Sequence, residues 1–97
     1  MRWAGLLIVV SLAASCGPGL PTATPGDAER AHVQLADLEE GRSLTLAKCG
    51  SCHHVPMPSD RSADQWPRMI DEMSVRSHLD ANQHHLIEAY LVTMAVR

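Results

Sequence analysis

The chain has 97 residues, of which eight are basic and eleven acidic, giving a formal net charge of −3 with neutral histidines. It contains three cysteines and six histidines, but only two tryptophans and one tyrosine as aromatic residues. A single domain of this length has a thin apolar core and usually depends on a disulfide, a metal or a bound cofactor. No basic patch is present, so nucleic acid is excluded as an expected partner.

The first fifteen residues have the pattern of an export signal. Arg2 places a positive charge near the N-terminus, and an apolar run then leads to three small residues directly before Cys16. The apolar run is too short to span a bilayer comfortably. Small residues before a lone cysteine resemble the lipobox of bacterial lipoproteins, in which that thiol is lipidated. We predict a lipoprotein signal peptide over residues 1–15 and lipidation at Cys16, with ordinary signal-peptide cleavage as the alternative.

The segment after Cys16 is rich in glycine and proline. Residues 17–27 read GPGLPTATPGD and lack an apolar period, so we predict a lipid anchor and flexible linker over residues 16–31. The folded domain should then begin near Ala28 or His32 and extend over residues 32–97. Loss of Arg2 with the signal leaves seven basic residues against eleven acidic ones.

The remaining sequence predicts helices and no strands. A first helix is expected from Val33 to Lys48, with Gly41 in its interior at a cost of about 1 kcal/mol. A glycine at this position is consistent with a second helix crossing closely.

Two further helices are indicated by their capping residues. Asp64 is the favoured N-cap of the second helix, rather than Ser62, because Pro67 then falls in the first turn. Trp66, Ile70 and Met73 share one face of this helix. The third helix should begin after Asp80, which has a glutamine three residues later. Its expected apolar side consists of Leu86, Ile87, Tyr90, Leu91 and Met94.

A cysteine and histidine motif lies between the first two predicted helices. The residues Cys49, Cys52 and His53 form C-x-x-C-H, the attachment pattern for c-type haem. Each thiol adds to one haem vinyl group as a thioether, and the histidine becomes the proximal iron ligand. The spacing lets one turn of backbone span two neighbouring vinyl groups and then direct an imidazole to the metal. We therefore expect one covalent haem c as the cofactor.

Three other interpretations of the motif stay open. A dithiol redox centre normally lies beside a βαβ pattern, which is absent from this sequence. A zinc site would combine the two cysteines with His53 or His54 and with His84 or His85, but a second ligand pair at zinc-finger spacing is missing. A short-range structural disulfide is the third alternative, because the chain is expected to be exported.

The stretch GRSLTLAKCGSCHH, followed by LIEAYL near the end, resembles the small monohaem class I cytochromes c, here of a bacterial lipoprotein type. The resemblance extends over roughly residues 38–92 and is specific only at the C-x-x-C-H motif. It implies an all-α fold of about three helices wrapped around one covalent haem. In that family a glycine eight residues before the first cysteine lets the terminal helices cross, and Gly41 occupies this position. Thr45 replaces the aromatic residue that often packs nearby.

The resemblance also suggests a sixth iron ligand. Met73 lies where similar exported haem domains place a ligand methionine, at the end of a tryptophan-led helix. Met69 is an alternative one turn earlier, and His78 is another because related two-haem proteins place a histidine after a similar helix. The alternative to iron ligation is that both methionines belong to an apolar stripe of the core.

These features together predict a one-electron carrier rather than an enzyme. The protein is expected at the periplasmic face of a bacterial membrane, anchored through lipidated Cys16 and making transient contacts with redox partner proteins. Alternatives are a haem-based sensor or small-ligand binder with a weak sixth ligand, or the electron-transfer subunit of a larger oxidoreductase. Electron carriage requires both axial ligands to stay bound, whereas a sensor requires a weakly held or open position.

Overall fold

The structure, a computed structural model, describes Gly5, residues 19–49 and residues 55–96. Within these residues the protein is all-α and contains no strand, so the predicted fold class is confirmed at this level. The four α-helices are α1 (Pro25–Ala31), α2 (Leu35–Leu44), α3 (Trp66–Arg76) and α4 (Ala81–Ala95). A π-helical turn, Thr45–Cys49, continues α2, and a 3-10 helix spans Pro58–Asp60. Across the described ranges, no helix is long and apolar enough to cross a membrane.

Helices α2 and α4 cross in close contact at Gly41. A Cβ atom built on Gly41 would lie 2.2 Å from the carbonyl oxygen of Leu86 and 2.8 Å from the Cβ of Tyr90. Both distances are far shorter than van der Waals contact, so only glycine permits this crossing. The expectation that another helix crosses at Gly41 is confirmed.

The core lies between α2, α3 and α4. Leu38 of α2 and Tyr90 of α4 are completely buried, and Trp66 at the start of α3 is 2% exposed. All five residues predicted for the apolar side of α4 are buried: Leu86, Ile87, Tyr90, Leu91 and Met94. The stripe of buried residues spaced three and four apart explains why α4 forms, since its apolar face is covered along most of its length.

The folded region begins earlier than the sequence indicated. Part of the predicted 16–31 linker is the helix α1, in which Thr24 and Asp27 form a reciprocal capping box. Leu20 is buried in the core, and its carbonyl accepts a hydrogen bond from Arg42 Nε at 3.0 Å. The Tyr90 hydroxyl donates to the Pro21 carbonyl at 2.6 Å. A composition rich in glycine and proline suggested a flexible linker, but these long-range contacts hold residues 20–31 on the domain.

The two later helices differ in how well their start sites were predicted. Helix α4 has Asp80 as its N-cap, with the reciprocal capping box to Gln83 that the sequence indicated. Helix α3 instead begins after Gln65, so the predicted N-cap at Asp64 is wrong by one residue. The Gln65 side chain accepts from the Ser62 N–H at 3.1 Å, which closes a turn before the helix. Pro67 is still in the first turn of α3, where it displaces no helical hydrogen bond.

Candidate functional site

The first cysteine of the C-x-x-C-H motif lies at the end of the π-helical turn that extends α2. Thr45 opens this turn, is fully buried, and donates its hydroxyl to the Gly41 carbonyl at 2.8 Å. Cys49 closes the turn and is 8% exposed. Turns of this wider type are rare and recur at functional sites in helices. The α2–α4 crossing therefore fixes the position from which the motif begins.

One face of α3 lies opposite this turn. Trp66, Met69 and Met73 follow at spacings of three and four residues, so their side chains occupy the same side of the helix. The Trp66 indole N–H donates to the Pro58 carbonyl at 2.9 Å, which ties the start of α3 to the 3-10 helix. Because the tryptophan is also part of the core, this contact sets the orientation of the methionine face.

The turn and the α3 face enclose a cavity of about 430 Å³. This volume is within the range of about 300–1,000 Å³ typical of small-molecule and cofactor sites. Its apolar wall is formed by Cys49, Pro56, Trp66, Met69 and Met73. Its polar rim is formed by Asp60, Arg61, Glu72, Arg76 and Ser77. The cavity thus combines an apolar interior with a charged edge.

The three candidate sixth ligands are not equivalent in position. Met69 and Met73 share the cavity with Cys49, whereas the exposed His78 does not line it. His78 has a φ of 53° in the connection between α3 and α4, and the preceding Ser77 is the last rim residue. Met69 packs against the core cluster, but Met73 does not pack against it in the described part of the chain. A core-stripe explanation therefore applies to Met69 and less well to Met73.

Several predicted site residues lie outside the residues that the structure describes. Cys16, the predicted lipidation site, is one of them, and so are Cys52 and His53 of the motif. Of the site residues predicted from sequence, Cys49, Met69, Met73 and His78 have described positions.

The histidines considered for a zinc site have separate surroundings. His84 Nε2 lies 2.7 Å from Asp71 Oδ1, and His84 Nδ1 lies 3.5 Å from Glu88 Oε2. His85 is exposed, and His54 is outside the described ranges. Among residues 19–49 and 55–96, no three histidine, cysteine or acidic side chains are grouped to hold a metal ion.

The charged rim was not predicted from the sequence. Glu72 and Arg76 lie at helical spacing from Trp66 and Met69. Extending the helical periodicity beyond the apolar residues of α3 would therefore have identified them. Arg61 and Pro56 reach the cavity from the irregular segment between the motif and α3, where periodicity gives no signal.

The residues in the cavity wall fit a c-type haem. The thiol of Cys49, two thioether sulfurs and an indole form an apolar wall that contains soft sulfur donors. No family model matches this chain, and no curated protein or solved structure matches it either.

Proposed function

We propose that this protein is a monohaem c-type cytochrome that carries single electrons at a membrane surface. The observation that carries the proposal is the shared cavity: Cys49, the first residue of C-x-x-C-H, lies in the same apolar wall as Met69 and Met73. An attachment motif next to a cavity of cofactor size, with thioether groups also in its wall, favours a covalently held porphyrin over an isolated dithiol.

Each site residue has a distinct role in this proposal. Cys49 and Cys52 hold the haem covalently, and His53 is the proximal iron ligand. Met73 is the distal ligand, with Met69 and His78 as alternatives. When bound, the haem supplies a one-electron couple whose potential is raised by a methionine ligand compared with a second histidine.

The protein side chains around the cavity determine how the cofactor is used. Trp66 and Pro56 exclude water from the apolar wall, and this exclusion favours the less charged, reduced state. The α2–α4 crossing at Gly41 and the Trp66 hydrogen bond hold Cys49 and the methionine face of α3 in fixed relative positions. If His53 and Met73 both held the iron in its oxidised and reduced states, structural change in the protein would be small.

The proposed cellular setting follows from the N-terminal sequence. We propose that the chain is exported, lipidated at Cys16 and held at the periplasmic face of a bacterial membrane. Electrons would enter and leave during brief contacts with redox partner proteins. Because residues 20–31 pack on the domain, the spacer from Cys16 to the folded part is shorter than a linker reaching residue 31.

Absorption spectra of three haem-loaded proteins, the wild type and two variants, test this function. The chain is produced with haem-attachment machinery, and oxidised and reduced spectra are recorded for the wild type, Met73→Ala and Met69→Ala. We expect the wild type to show the weak band near the red edge that reports sulfur-to-iron coordination. Met73→Ala should lose this band and become high-spin, while Met69→Ala, altered in the same cavity, should keep it.

The same spectra distinguish the competing functions. An unchanged spectrum in Met73→Ala would make the ligand assignment wrong, and a bis-histidine spectrum in the wild type would move it to His78. A high-spin wild type would favour the sensor or ligand binder. A wild type without any haem spectrum would contradict the cytochrome function and favour a zinc site, a dithiol or a disulfide at the motif.

A further inference from the structure

The arginines of the described residues fall into two groups. Three of them have partners: Arg30 contacts Asp27 and the Thr93 carbonyl, Arg42 donates to the Leu20 carbonyl, and Arg68 pairs with Glu72. The side chains of the other two, Arg61 and Arg76, have neither a hydrogen bond nor an ion pair within the described ranges. Both of these line the cavity.

The acidic groups at the cavity rim already have partners. The Asp60 carboxylate accepts a hydrogen bond from the Met57 N–H at 2.9 Å, which caps the 3-10 helix. Glu72 Oε1 lies 3.5 Å from Arg68 Nε on the next turn of α3. The rim therefore presents two guanidinium groups that do not pair with its own carboxylates, although the whole chain has a net charge of −3.

These two guanidinium groups point to the chemistry of the ligand's exposed edge. A guanidinium binds a carboxylate through two parallel N–H···O hydrogen bonds, which adds orientation to charge attraction. A ligand with an apolar body and carboxylates at one edge would place the body against Trp66, Met69 and Met73 and the carboxylates at the rim. Haem has this distribution of polarity.

We propose that Arg61 and Arg76 bind the haem carboxylates and thereby fix which edge of the porphyrin faces solvent. This inference rests on the proposed cytochrome function. Arg76 is positioned by α3, because it lies three residues after Met73 on the cavity face. Arg61 directly follows the 3-10 helix Pro58–Asp60, whose Pro58 carbonyl is held by Trp66.

A purely structural role is the alternative, particularly for Arg76. This residue lies in the last turn of α3, where a positive side chain interacts favourably with the helix dipole. Such a role affects helix stability but leaves the reduction potential of a ligand in the cavity essentially unchanged. The reduction potential therefore separates the two explanations.

The test uses the haem-loaded full chain and measures the midpoint potential by spectroelectrochemical titration. Arg61→Gln and Arg76→Gln are compared with Arg30→Gln, which removes the same charge from α1, outside the cavity. Loss of a nearby positive charge favours the ferric state. We expect each cavity variant to lower the equilibrium constant for reduction about fivefold, which is about 40 mV for one electron, and Arg30→Gln to change it less than about twofold.

Charge-retaining variants complete the design. Arg61→Lys and Arg76→Lys should recover most of the wild-type potential, because lysine restores the charge without the bidentate geometry. Potentials of the glutamine variants equal to that of Arg30→Gln would overturn the inference while leaving the cytochrome function intact. A wild type without covalent haem would overturn both, so the two failures are distinguishable.

Discussion

The close contact at Gly41 predicts that Gly41→Ala destabilises the protein, although helix propensity alone predicts that it stabilises it. In an isolated helix, replacing an interior glycine by alanine stabilises by about 1 kcal/mol. In this fold the new methyl group would meet the Leu86 carbonyl oxygen at 2.2 Å. Ordinary van der Waals contact begins at 3.4 Å, so the helices would have to separate by about 1.2 Å at this point. The contacted atom is backbone, which cannot move aside as a flexible side chain can.

The size of the effect follows from these two opposing terms. Overpacking of a well-packed core typically costs about 1–3 kcal/mol, and a contact this short belongs at the upper end of that range. After the propensity gain is subtracted, we expect Gly41→Ala to lower the free energy of unfolding by about 2 kcal/mol. For a domain of this size the corresponding decrease in Tm is about 8–16 °C. Thermal unfolding followed by far-UV circular dichroism measures it directly.

Gly26→Ala provides the matched control. Gly26 lies in α1, and a Cβ built there would have its nearest neighbour, Thr24 Oγ1, at an ordinary 3.6 Å. The control should be as stable as the wild type or up to about 1 kcal/mol more stable. If Gly41→Ala unfolds at the wild-type Tm or above it, the proposed tight crossing of α2 and α4 is refuted.

Three further stability predictions concern other contacts, each measured by urea unfolding. Tyr90→Phe removes the hydrogen bond to the Pro21 carbonyl and should cost about 1 kcal/mol; no loss would mean that residues 20–31 are not held on the domain by this contact. Asp80→Ala breaks the capping box with Gln83 and should also cost about 1 kcal/mol; no loss would mean that the cap does not stabilise α4. Leu38→Ala removes a completely buried side chain and should cost about 2–5 kcal/mol; a loss under about 1 kcal/mol would contradict its central core position.

The features that the sequence predicted correctly depend on strong local signals. Asp80 and Gln83 form the capping box that their spacing indicated, and the apolar side of α4 is buried as expected. Gly41 was informative because a glycine inside a helix has a cost that only a close approach explains. In each case the residue type at that position is compatible with few structural roles, so the sequence alone indicates the role.

The features that the sequence missed depend on tertiary contacts. Residues 16–31 were expected to form a linker because residues 17–27 lack an apolar period, yet Leu20 and Ala28 are buried by other parts of the chain. The start of α3 was misplaced by one residue because Pro67 falls in the first turn whether Asp64 or Gln65 is the N-cap, and the Ser62–Gln65 turn ends at Gln65. Local secondary-structure propensity does not show how much these tertiary contacts stabilise the fold.

The candidate site was predictable only in part. The C-x-x-C-H motif was identified from its spacing, and both methionines were candidate ligands because of their positions on the tryptophan-led helix. That these methionines share one cavity with Cys49 could not be predicted, because the angle between α2 and α3 is not encoded in any short motif. The exposed arginines at the rim have no sequence pattern that separates them from ordinary surface charges.

Covalent haem on the purified chain is the most direct test of the central claim. The chain is denatured, extracted with acidic organic solvent and examined by mass spectrometry for haem that remains attached. We expect one haem on each wild-type chain and on Cys16→Ala, which alters the cysteine outside the motif, and little on Cys49→Ala or Cys52→Ala. A wild-type chain that loses its haem on extraction, or a Cys49→Ala chain that retains a full complement, would contradict the cytochrome function.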